Sequence, residues 1–162
     1  MDILINYINI FDSYYFRIFV LSMLPITELR ASIPYGILKL GLNPIPVMIV
    51  SILGNVLIGV MVIYIIAPLM NLVRNIKYFD NIILHIFRRT RKKSKMIYNF
   101  KFYGLILFVS IPLPLTGVWT GALASYLFGL SKIKSCIAIV SGVLISSTIV
   151  TLISLFGKTL VI

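Results

Sequence analysis

Apolar residues fill most of this chain, and the places where they stop define its elements. Residues 16–24 are apolar, 25–34 are interrupted, and the apolar pattern resumes to Leu42. Neither half of this first stretch reaches the roughly 20 residues that span a bilayer. Ile45–Val73 is the longest apolar run and reads as a helix containing Gly54, Gly59 and Pro68. At about 1.5 Å per residue it outruns a hydrocarbon core, so tilt, a kink at Pro68 or an overhang is expected. Phe102–Leu130 is apolar and interrupted again, by Pro112, Pro114, Gly117 and Gly121, and Cys136–Phe156 is a further spanning helix rich in Ser and Thr.

Between these runs, residues 74–101 follow another rule. Ile76, Phe79, Ile83 and Ile86 recur at helical spacing, which predicts an amphipathic helix on the membrane surface. Arg88–Lys95 (RRTRKKSK) then forms a basic cluster, read as a topology signal or as an anionic-lipid site. Residues 1–13 read as an interfacial segment, with Tyr7, Tyr14 and Tyr15 near the head groups and no cleavable leader.

Composition sharpens the class. The 162 residues are 60% hydrophobic with a mean hydropathy of +1.07, well above the roughly 45–50% apolar content of soluble domains. Nine of the fifteen Lys/Arg lie between Arg74 and Lys101, which predicts that this loop is cytoplasmic. One Cys rules out an intrachain disulfide and a cysteine-based metal site, and with one His as well no metal or metal cofactor is expected. Cys136 reads as a small apolar side chain and His85 as solvated or interfacial. The basic loop has a sufficient explanation in topology, so nucleic acid is not an expected partner. No nucleophile–base set, phosphate loop or dinucleotide fingerprint is present, so enzymatic function is not expected.

The chain also repeats itself. Pro25-Ile-Thr27 aligns with Pro114-Leu-Thr116, Gly41-Leu42 with Gly129-Leu130, and Gly54 with Gly142. Each half therefore reads as a broken segment followed by a full span. If residues 102–130 form a re-entrant hairpin, Lys132 and Lys134 return to the cytoplasm, as the charge bias prefers. By the same repeat, residues 16–42 dip in from the other face. The expected fold is an all-α integral membrane protein of two inverted repeats, each a broken helical hairpin followed by a transmembrane helix. Such a plan places a substrate site near the midplane. One membrane domain is expected over residues 1–162, with repeat one about 16–73, the basic loop 74–101 and repeat two about 102–157.

The candidate chemistry sits in the interruptions. Glu28 and Arg30 lie between Pro25 and Pro34, in a segment apolar enough to enter a bilayer, and charge at that depth marks function. On a helix, side chains two apart do not face each other; in an extended hairpin tip they share a face. The pair reads either as a proton carrier (Glu28) with an anion holder (Arg30), or as a structural ion pair. Burial favours the neutral acid and the guanidinium favours the carboxylate, and the sequence leaves that balance open. In Ser110–Gly121 (SIPLPLTGVWTG), Thr116, Trp119 and Thr120 offer donors, and a helix starting there would aim its positive end at an anion. Pro25, Pro34, Pro112, Pro114, Gly117 and Gly121 are expected to shape the hairpins. Asn55 is either a cavity ligand or interhelical glue. Ser146, Ser147, Thr148 and Thr151 read as packing or back-bonding groups.

PITELRASIPYGI (Pro25–Ile37) and PLPLTGVWTGALASYLFGL (Pro112–Leu130), joined by the basic loop, resemble the prokaryotic small multidrug export protein family over roughly residues 16–157. The plan is similar, more distantly, to the DedA superfamily, associated with lipid handling and lipid-carrier transport. The resemblance implies a small transporter in the prokaryotic plasma (inner) membrane that exports small molecules, and Glu28, read above as a proton carrier, leaves proton coupling open. Translocation of an anionic lipid carrier such as a polyprenyl phosphate is the alternative, and a non-transporting membrane scaffold the second. Expected partners are membrane lipids and a small-molecule or lipid-phosphate substrate, and the short chain leaves room for a homodimer.

Overall fold

The first helix, α1 (Tyr14–Met23), stops where the sequence forbids it to continue. Leu24 precedes Pro25, and a residue before proline is pushed out of the helical region. The structure is a computed structural model that describes residues 14–74, 95–113 and 116–161. Among these residues all regular structure is helical. The expected interfacial segment at 1–13, most of the basic loop with its amphipathic helix, His85, Pro114 and Leu115 lie outside the described residues.

After a turn at 24–27 the chain forms α2 (Glu28–Pro34), which runs directly into a π turn (Tyr35–Lys39). The sequence leaves helix and extended tip open between the two prolines, and the structure makes residues 28–34 helix. Pro34 closes α2 without breaking it. The π spacing that follows lets Leu40 N–H reach back five residues to the Tyr35 carbonyl at 3.1 Å. Local widening of this kind is how a helix accommodates a missing donor.

Asn43 then caps α3 (Pro44–Arg74): its Oδ1 accepts from the Ile45 N–H at 3.2 Å, with Pro44 at the first helical position. This is the polar cap followed by proline that favours helix initiation. Pro68 lies inside α3, which is continuous through it.

The second half repeats the order of elements. α4 (Lys95–Ser110) is followed by a Pro-containing turn, then α5 (Val118–Leu127), then the long α6 (Lys132–Val161). At the end of α5, Gly129 N–H bonds the Tyr126 carbonyl and Leu130 N–H the Ser125 carbonyl, both at 3.0 Å. That pair is a Schellman stop, which needs a left-handed residue, and Gly129 has φ 69°. Gly41 is its counterpart in the first half, with φ 65° and nothing within 4 Å of an added Cβ. Gly41→Ala therefore carries only a conformational penalty. Both Gly41→Ala and Gly129→Ala are expected to lower unfolding stability by roughly 1–2 kcal/mol, read as a drop in thermal midpoint.

The described residues fall into two compact units, one holding 14–57 with 144–161, the other the described part of 58–143. In the first, α1 packs on α2 and the π turn, around Ile18, Leu29, Ile33, Ile37 and Val47. Gly54 brings α3 against α1 so closely that an added Cβ would fall on Ser22 Oγ and lie 2.7 Å from the Phe19 carbonyl oxygen. In the second unit α4 packs on α5, and Gly142 brings α6 against α4. There an added Cβ would lie 2.6 Å from Val109 Cβ and 3.1 Å from the Ile106 carbonyl oxygen. Each close crossing falls thirteen residues after the left-handed glycine, Gly41 to Gly54 and Gly129 to Gly142.

Two helices are long and apolar enough to cross a membrane, over Pro44–Met70 and Lys132–Thr159. Their 27 and 28 residues correspond to about 40 Å of helix, against a hydrocarbon core of roughly 30 Å. The distribution of side chains around α3 identifies its surroundings. Ile45, Ile49, Leu53, Leu57, Met61, Ile65 and Leu69 are exposed, while Ser51, Gly54, Asn55 and Gly59 are buried. A helix of a water-soluble protein does the opposite. Large apolar groups outside and small or polar groups inside are what a lipid solvent selects. The chain is a membrane protein.

Candidate functional site

The first unit has an unusually polar interior. Ser22, Glu28, Ser32, Ser51, Asn55, Ser146, Ser147 and Ser154 are all buried within it. Those near the hairpin are tied together across helices. Ser51 and Asn55, one turn apart on α3, share a face. Ser32 Oγ on α2 bonds Ser51 Oγ at 2.8 Å. Asn55 Nδ2 donates to the Ser22 carbonyl at the end of α1, at 3.1 Å. α1 and α2 are thus clasped to α3 at two points a turn apart.

Glu28 occupies the start of α2, 5% exposed, between the turn and the first helical hydrogen bonds. Its N–H bonds the Leu24 carbonyl at 3.0 Å, and the preceding Thr27 sends its hydroxyl back to the Leu21 carbonyl at 2.6 Å. Its φ is 44°, the one positive value among the described non-glycine residues. A side chain larger than glycine's is held there at a cost of order 1 kcal/mol or more. The departure from helical geometry at residue 28 also answers how residues two apart can meet. The Arg30 Nη2 lies 3.8 Å from the Glu28 Oε2, an ion pair longer than a hydrogen bond. The Arg30 side chain is the more open of the two, at 19% against 7%.

Asn55 makes the interhelical contact that one of its two sequence readings expects. Its amide nitrogen is glue to α1. The Ser22 carbonyl can only accept, so the nitrogen must face it and the oxygen is the atom left over. That Oδ1 is buried without a hydrogen-bond partner, as is the hydroxyl of Thr151 in the same unit. A buried acceptor left unmatched costs roughly 1–3 kcal/mol and marks a place where a donor belongs.

The turn between α4 and α5 is built differently. Thr116, aligned with Thr27, also ties its turn backward, its Oγ1 lying 2.7 Å from both the Ile111 and the Leu113 carbonyls. Gly117 caps α5 with an extended backbone, and its N–H donates to Thr120 Oγ1 at 3.1 Å. Thr120 thus closes the first turn of the helix, and Trp119 stands half-buried beside it. Gly121 seats α5 against Val109, where an added Cβ would come within 2.7 Å of a methyl. Pro112 lies in the turn between α4 and α5. The three buried serines of this unit, Ser110, Ser125 and Ser135, each bond a carbonyl of their own helical turn. Back-bonding of that type also accounts for Ser147 and Thr148, both of which bond the Leu144 carbonyl.

The family model described as "Putative small multi-drug export protein" matches residues 28–149. The chain belongs to that family. The matched segment runs from Glu28 past Gly142 and takes in Arg30, Asn55, Thr116, Trp119 and Thr120. No curated protein and no solved structure matches the chain. Sequence reasoning reached Glu28, Arg30 and Asn55 of this export-family member but passed over Ser22, Ser32 and Ser51. The available signal was the i, i+4 pair Ser51/Asn55 on an otherwise apolar helix. Ser22 and Ser32 carried none, because a serine in an apolar run is usually satisfied by its own helix.

Proposed function

We propose that this protein is a proton-coupled transporter that exports small molecules across the prokaryotic plasma membrane, with Glu28 as the coupling group. The observation that carries the reading is Glu28 itself. It is a carboxylate buried in a membrane protein, held at a strained backbone position beside Arg30, in an interior lined by hydroxyls and an unmatched carboxamide oxygen. A proton and a cationic substrate compete for such a carboxylate: protonation removes the charge that holds the cation. Arg30 positions the carboxylate, and Asn55 Oδ1 accepts a hydrogen bond from the substrate or a water. Thr116, Trp119 and Thr120 serve the second hairpin in the same transport cycle.

The chain forms one membrane domain of two inverted repeats, with residues 74–101 cytoplasmic, and works as a homodimer. The repeated order of elements, the paired left-handed glycines and the clustering of positive charge support that topology. A second reading, translocation of an anionic lipid carrier such as a polyprenyl phosphate, draws on the greater exposure of the Arg30 guanidinium.

Ligand-dependent thermal stabilisation of the purified protein separates them, since a ligand that binds only the native state raises its midpoint. Stabilisation by cationic drugs that disappears in Glu28→Gln supports the exporter. Stabilisation by polyprenyl phosphate that disappears in Arg30→Ala supports the lipid-carrier reading. Shifts that persist in both variants remove the first hairpin from the site.

A further inference from the structure

On α4, Phe100, Gly104 and Phe108 recur every fourth residue and so lie along one face of the helix. Together with Ala124 and Phe128 they line a groove of about 370 Å³, within the range of small-ligand sites. The sole charged group in the lining is Lys101. Its ammonium donates to the Phe128 carbonyl at 3.1 Å. Phe128 is the C-terminal cap of α5, so the ammonium is seated at the negative end of a helix. The groove thus has a fixed positive charge at one end and an aromatic floor along two turns of helix, about 12 Å.

We propose that this groove is a binding site for an anionic phospholipid of the surrounding membrane, one acyl chain along Phe100, Gly104 and Phe108 and the head group against Lys101. Three observations converge on that occupant. The lining is apolar except for one cation, which excludes a polar solute and selects a chain with a negative end. Phe100 and Phe108 are exposed on a helix of a membrane protein, so the groove opens on the medium that supplies acyl chains. Lys101 also closes the most basic stretch of the chain, Arg74–Lys101, which draws anionic lipid to the same end of α4. The site shares no residue with the proposed transport site, and its failure would leave that reading untouched.

Gly104 makes the test clean. A Cβ added there meets nothing within 4 Å, so Gly104→Leu starts its side chain in open space, extends it into the groove and removes a helix-weakening glycine. Full-length protein in detergent is titrated with phosphatidylglycerol or phosphatidylcholine, and bound lipid is counted by native mass spectrometry alongside the thermal midpoint. Wild type is expected to retain phosphatidylglycerol in preference to phosphatidylcholine. Gly104→Leu should lose the retained lipid while keeping a lipid-free midpoint at or above wild type. Lys101→Gln should keep a bound lipid but lower the preference about fivefold, the effect of one cation near a membrane surface. Equal retention of the two lipids by wild type overturns the proposal. So does undiminished selective binding by Gly104→Leu, which would assign the lipid to the basic loop.

Discussion

Gly54→Ala is expected to destabilise the protein by about 3 kcal/mol or more, at the upper end of overpacking effects, although it adds a single methyl group. The new carbon would fall on Ser22 Oγ and lie 2.7 Å from the Phe19 carbonyl oxygen. The second obstacle is backbone, which cannot rotate away, so α3 must move off α1. That movement also stretches the Asn55–Ser22 bond one residue further along and the Ser32–Ser51 bond three residues back. Ser22→Ala removes the first obstacle only. The double variant Ser22→Ala/Gly54→Ala is therefore expected to recover part of the loss, giving a non-additive cycle. Gly104→Ala supplies the comparison: open space at that position leaves only the helix-propensity gain of about 0.5–1 kcal/mol. Thermal or chemical unfolding of the purified protein reads all four variants. A Gly54→Ala midpoint equal to that of Gly104→Ala would show that α1 and α3 do not cross at residue 54.

Glu28→Gln is expected to abolish proton-driven export while leaving the fold intact. Glutamine has the shape of glutamate, and the substitution removes a buried negative charge, so stability is maintained or raised. Arg30, the more exposed partner, can still reach water. Arg30→Ala has the opposite profile. It removes the guanidinium beside a carboxylate that is 7% exposed, and loss of one member of a buried pair lowers stability by up to about 3 kcal/mol. Glu28→Gly gives a third signature. It relaxes the left-handed backbone at φ 44° and is expected to be at least as stable as Glu28→Ala, yet equally inactive. Substrate efflux from proteoliposomes under an imposed pH gradient, with unfolding midpoints measured in parallel, distinguishes these profiles. Full export by a correctly inserted Glu28→Gln variant would return the pair to a structural role.

The membrane class was legible because hydropathy needs no tertiary contact. The interruptions of both apolar stretches were legible from Pro25 and Pro112, since a proline limits its own nitrogen and the residue before it. Pro34 carried the same signal, yet the π turn at Tyr35–Lys39 absorbs its missing donor and the helical path runs through it. Gly41 and Gly129 were found by pattern, and both adopt the left-handed conformation that makes glycine the residue of choice. Gly54 and Gly142 were paired by counting, but only the helix crossings give them a reason.

By itself the sequence determined what each residue could not do. It kept charge out of most apolar positions, barred regular helix before two prolines and placed glycine where other residues strain. These are local limits of sterics and solvation, and they hold in any fold. Tertiary structure decided what each residue does. It set Glu28 in a left-handed conformation within reach of Arg30, joined Ser32 to Ser51 and Asn55 to Ser22, and left one carboxamide oxygen unmatched among them. Ser22 and Asn55 are 33 residues apart in the chain. Their meeting depends on where two helices cross, and a crossing is fixed by packing across the whole interface rather than by either segment alone.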